Sequence, residues 1–183
     1  GVLTSANSST LKVPTFTNYG DWVAAKNDTI TGSVVWQVNT VNNEVGGLIA
    51  SADVWSVTPF SGTVGTAMTN KGTVSSNVAL DGNFSTLTNS GTLTASLAGS
   101  ATASDWTVGT LTNTASGKLF AGGDLLVNAP GVATPAQRGA TLSNEGSLQA
   151  EKNLTLAFDT LLLPKGKEIG GALAGTGTSV SYT

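Results

Sequence analysis

Apolar and polar residues alternate along most of this chain in short runs, each punctuated by asparagine or glycine. Alternation with a period of two places every second side chain on one face of a β-strand. The runs repeat a phrase. An apolar residue stands two places before an asparagine at Phe16/Asn18, Val41/Asn43, Met68/Asn70, Leu87/Asn89, Leu111/Asn113 and Leu142/Asn144. A glycine follows each within a few residues: Gly20, Gly46, Gly72, Gly91, Gly117 and Gly146. Two places further on come Trp22, Leu48, Val74, Leu93, Leu119 and Leu148, then the small residues Ala24, Ala50, Ser76, Ala95, Ala121 and Ala150.

A second register lies upstream. "LKVPTFTN", "WQVNTVNN" and "WTVGTLTN" align without a gap and superimpose Leu11/Val13, Trp36/Val38 and Trp106/Val108. "GNFSTLTN" fits more loosely, through Gly82/Phe84. Each unit reads as strand, asparagine turn, strand and variable return. One unit cannot bury its apolar side alone, whereas stacked units can. The expected fold is all-β: a right-handed parallel β-helix of about six to seven coils, forming one unit over 1–183. A leucine-rich repeat is disfavoured by the missing L-x-x-L-x-L signature. A sandwich would not require the same apolar position in each unit. Irregular returns are expected at about 51–67, 98–105, 128–141 and 159–168; the last is an excursion or an incomplete further coil whose leucines seal an end.

In this frame the asparagines are structural. Stacked along the rod, Asn18, Asn43, Asn70, Asn89, Asn113 and Asn144 are expected to form an amide ladder that satisfies the turns. The glycine is expected to relax a turn, the large apolar residue to fill the core and the small one to leave room between sheets.

Composition narrows the chemistry. Charged residues make up 10% of the chain, with 8 basic against 11 acidic, which leaves no basic surface for nucleic acid. No stretch approaches the ~20 apolar residues of a membrane span, so membrane insertion is not expected. There is no cysteine and no histidine, which removes disulfides, thiolate chemistry and the usual general base. The chain begins at Gly1 without a signal-peptide pattern, which reads as a processed or excised piece.

"LTNSGTLTA", "LTNTASGKLFAGGDLLV" and "LSNEGSLQAEKNLTL" resemble the repeats of filamentous haemagglutinin-like exoproteins, which Gram-negative bacteria export by two-partner secretion. The family includes contact-dependent growth-inhibition effectors. The likeness is good over 87–156 and looser over 11–84. It implies a β-helical segment of a much longer protein at the bacterial surface or outside the cell, serving adhesion, aggregation or delivery. It also implies an outer-membrane secretion partner. The uneven returns depart from a regular array of such repeats.

Candidate binding residues fall in the returns. The register turns Trp22, Trp36 and Trp106 inward. An inward row Leu48, Ala50, Ala52 and Val54 leaves Trp55 outside beside Pro59 and Phe60. The excursion 128–141 holds the only arginine, Arg138. Trp55, Phe60 and Arg138 are therefore the candidates for contact with a receptor protein or glycan on a target cell. Loops packing on themselves are the plainer alternative. No catalytic, metal or cofactor site is expected: Asp21, Asp28, Asp53, Asp81, Asp105 and Asp124 are scattered, without a D-x-D loop or a basic partner. Three functions follow in order: recognition through returns, a plain stalk, and a polysaccharide-acting β-helix enzyme.

Overall fold

The computed structural model describes residues 1–24, 34–128, 138–163 and 180–182. Asp28 and parts of the returns at 128–141 and 159–168 lie outside the described residues. Among the described residues there is no helix, and every strand pairing is parallel. The chain is a β-solenoid. Each coil is numbered here by its asparagine, coil 1 at Asn18 through coil 6 at Asn144.

A coil has three faces. The 10-residue strands Ser9–Asn18, Val34–Asn43, Leu80–Asn89 and Ser104–Asn113 bend midway and supply the first two, within an 11-stranded sheet. In coils 3 and 6 the same path is split, into Trp55–Thr58 with Thr66–Asn70 and Leu125–Val127 with Gly139–Asn144. The third face is a 7-stranded sheet: Val2–Thr4, Asp21–Ala24, Leu48–Ser51, Thr73–Ser76, Thr92–Ser96, Lys118–Ala121 and Ser147–Ala150, in that spatial order. Strands Leu154–Leu156 and Phe158–Leu162 begin a further coil, so the sequence "FDTLL" joins the stack as a strand.

The sequence columns become physical columns. Val41, Met68, Leu87, Leu111 and Leu142 stack inward on the second face and are buried, with Phe16 half-buried at the end of the rod. On either side of that column the outward positions are mostly threonine: Thr40, Thr86, Thr110 and Thr141 before it, Thr17, Thr69, Thr88 and Thr112 after it.

The asparagines form the expected ladder. Asn18 donates its amide to Asn43 Oδ1 at 2.9 Å, and the chain continues through Asn70, Asn89, Asn113 and Asn144 at 2.8–2.9 Å. The second amide hydrogen of each donor goes to a backbone carbonyl of the next coil: Leu48, Thr73, Thr92, Lys118 and Ser147. All six asparagines are buried. Leaving one buried polar group unpaired costs about 1–3 kcal/mol, so the ladder holds the coils in register at this corner.

Two expectations need correction. The third-face core of coil 2 is Ile49, which is fully buried and pairs with Trp22 and Val74, whereas Leu48 and Ala50 face outward. Gly46 is spent inside the turn, at φ +81°, and Gly47 occupies the column. The glycine of the column lies two or four residues past its asparagine; counting from Gly46 slips the strand by one and turns it inside out. The second correction concerns why the column is glycine. Gly72, Gly91 and Gly117 lack positive φ, but a Cβ there would strike the coil below, against the carbonyls of Gly47, Gly72 and Asn89 respectively. Close stacking, rather than turn geometry, requires the missing side chain.

Candidate functional site

The first two faces meet at a corner where two consecutive residues point outward, Asn39–Thr40 in coil 2, Ser85–Thr86 in coil 4 and Gly109–Thr110 in coil 5. Just ahead of it, Trp36, Val57, Gly82, Trp106 and Val127 form one paired column, and Val38, Phe84 and Val108 lie two residues further along their strands. In coil 3, residues 59–65 are inserted between Thr58, paired with Gln37, and Thr66, paired with Phe84. In coil 6, the chain leaves after Asn128, one residue past the Trp106 partner Val127, and returns at Gly139, packed on the Val108 carbonyl. Both insertions therefore begin at the same column. Three coils apart, they emerge about 14 Å from one another.

The first loop is held closely. Asn39 Oδ1 accepts hydrogen bonds from the backbone N–H of Phe60 (2.9 Å) and Ser61 (3.2 Å) and from the Thr63 hydroxyl (3.2 Å). Its Nδ2 donates to the Ser61 carbonyl at 3.1 Å. Thr66 Oγ1 closes the far side by donating to the Val38 carbonyl at 2.6 Å. Gly62 takes a positive φ of 68°, and Gly65 lies so close to Ser85 that a side chain would not fit. Phe60 is half-buried, with the Lys12 ammonium 5.8 Å from its ring centroid. Val64 stands at the tip, 89% exposed.

At the second departure point Asn128 sits at φ 55° and stands in for a strand residue. Its Oδ1 accepts the Val108 N–H, and its Nδ2 donates to the carbonyls of Val108 and Ala157. Arg138 is exposed just before Gly139; residues 129–137, which make up most of the expected 128–141 excursion, lie outside the described residues.

Trp55 is not at this surface. The expected outward placement is overturned: Trp55 is fully buried, edge-on to Trp36 at 4.7 Å and 72°. Trp36 in turn meets Trp22 at 4.7 Å and Phe16 at 4.9 Å, so coils 1 to 3 share one aromatic cluster. The slip at Gly46–Gly47 explains the error, since Ile49, Ser51 and Trp55 share the parity that the row from Leu48 denied them. Trp106 Nε1 donates to the Leu80 carbonyl at 2.7 Å, while the buried indole N–H groups of Trp36 and Trp55 have no acceptor among the described residues. Edge-to-face packing against neighbouring rings offsets part of that cost. Of the expected trio, Phe60 and Arg138 stay at the loop corner. Val64 was missed, and the only trace of it in the sequence is an apolar residue isolated between turn-forming glycines.

Beside the corner, register brings together two of the scattered aspartates. Asp81 and Asp105 stack outward on adjacent coils, where the Asp105 N–H donates to Asp81 Oδ1 at 3.0 Å. Burial raises the pKa of both above the ordinary 3.8; the Asp105 amide opposes this at Asp81, and the Asp81 charge adds to it at Asp105. Ser56 and Leu126 flank the pair, and no cluster of three metal-binding side chains occurs among the described residues. No helix there is long and apolar enough to cross a membrane.

Comparison with known proteins yields no matching family, no matching curated relative and no matching solved structure.

Proposed function

We propose that this chain is a rod segment of an extracellular or surface-attached bacterial exoprotein, with recognition of a target-cell receptor protein or glycan carried by the loops of one corner. The observation that supports this reading is the shared departure column of residues 59–65 and the excursion after Asn128. Segments inserted at one column of a rigid scaffold can contribute to one surface, and the Asn39 clamp fixes the first in shape before any partner arrives. Phe60, Val64 and Arg138 supply apolar and cationic contacts there. The resemblance of the repeats to haemagglutinin-like exoproteins supports export through an outer-membrane partner, and the absence of histidine weighs against catalysis.

The test removes each loop by joining Thr58 to Thr66 and Asn128 to Gly139, as coils 4 and 5 connect naturally. Binding to target cells should fall while the thermal transition persists. Normal binding by both variants would favour a second reading, a plain spacing stalk. That reading draws support from the burial of Trp55, which takes one aromatic away from the surface.

A further inference from the structure

The second face carries a pattern that neither the core nor the loops use. Each coil presents two outward positions there, two residues apart on one strand, and threonine fills most of them. Coils 4 and 5 show the full motif, Thr86 with Thr88 and Thr110 with Thr112, paired residue to residue. Only Ala67, Asn42 and Ser143 interrupt the two columns between coils 1 and 6. Threonine suits any strand, so strand propensity accounts for some of this. It does not account for the absence of charge. The first face carries Lys12, Asp81 and Asp105 and the third carries Asp21 and Lys118, yet no charged residue enters the two columns.

The hydroxyls are also free. Among the described residues, none of the threonine hydroxyls in these columns hydrogen-bonds to another protein group. The backbone beneath them is fixed by continuous parallel pairing on one side and by the buried asparagine ladder immediately next to the second column. The result is a two-column array of outward hydroxyl and methyl groups in coil-to-coil register. Its repeat is about 4.8 Å from coil to coil and about 6.7 Å along each strand, over a length of roughly 25 Å. The first spacing lies close to the oxygen repeat along one axis of the prism face of ice, and the second is somewhat shorter than the repeat along the other. Charged side chains would hydrate in a disordered shell and spoil such a match, whereas threonine holds water by its hydroxyl and cages it by its methyl.

We infer that the threonine face of the solenoid is an ice-binding surface, which orders water into a layer that merges with a growing crystal. The lattice carries this inference independently of the loop corner.

Ice recrystallisation in a frozen sucrose solution, followed by microscopy at micromolar protein, tests the inference directly. The wild-type chain should arrest grain growth and facet single crystals. Thr88→Lys and Thr110→Lys, at the centre of the lattice, should each lose most of that effect with an unchanged thermal transition. Thr94→Lys, outward on the third face, should keep it. Grain growth in wild-type protein equal to that in an unrelated protein of the same concentration overturns the inference. So does full retention of activity by both lattice variants, or equal loss in Thr94→Lys.

Discussion

Two corners of the same rod solve the same problem differently. At the asparagine corner every coil uses one residue type, and each amide closes the backbone of the next coil. At the loop corner the bend is handled one coil at a time: Asn39 clamps a loop, Gly109 lies against the Ser85 carbonyl, and Asn128 mimics a strand. A hydrogen-bonding debt that passes from coil to coil leaves no freedom in residue identity and little in spacing, two or four residues from asparagine to glycine. A debt settled locally permits insertion. That is why the excursions emerge where they do, and why a binding surface can vary there without disturbing the stack.

The largest effect should come from breaking the shared corner. Asn89→Ala leaves Asn70, Asn113 and the Lys118 carbonyl without their partner. At about 1–3 kcal/mol for each of the three buried orphans, the expected loss is roughly 3–9 kcal/mol by urea unfolding. A loss under about 1 kcal/mol would mean that the ladder is incidental.

The phase of coil 2 gives the next effect. Ile49→Ala should cost about 2–5 kcal/mol, as a core truncation does, and Leu48→Ala a small fraction of that. The reverse order would restore the slipped register and put Trp55 back on the surface. The locally settled corner should be far more forgiving: Asn39→Ala is expected to cost about 1 kcal/mol and to show itself mainly as faster proteolysis within 59–65. A stability loss matching that of Asn89→Ala would erase the distinction between the corners.

The smallest effect is electrostatic. Asp81 and Asp105 have pKa values raised in the folded chain, so folding favours their protonated forms. Their contribution is fully present below the ordinary value of 3.8 and is lost as pH rises through the raised values. Melting temperature should therefore fall less between about pH 4 and about pH 7 in Asp105→Asn than in wild type. Parallel curves would show that the pair carries no such linkage.

Much of this was legible in the sequence because stacking repeats its demands. The asparagine column, the glycines at 72, 91, 117 and 146, and the core positions Val74, Leu93, Leu119 and Leu148 all follow from period and spacing. Coil 2 failed because two adjacent glycines offer two registers, and only the carbonyl of the neighbouring coil decides between them. Asn39 and Asn128 were illegible for a related reason. Their partners lie 20 or more residues away, and the Asn39 position of the upstream phrase holds Pro14, Ser85 and Gly109 in other coils. The Asp81–Asp105 contact likewise exists only after coils of unequal length are brought into register.

Side-chain amide exchange, read by NMR, tests the central claim most directly. If the buried ladder holds the rod together, the Nδ2 protons of Asn43, Asn70, Asn89 and Asn113 should exchange as slowly as the strand amides of the core, and those of Asn39 much faster. Exchange of the four ladder amides at the rate of a free carboxamide would contradict the account.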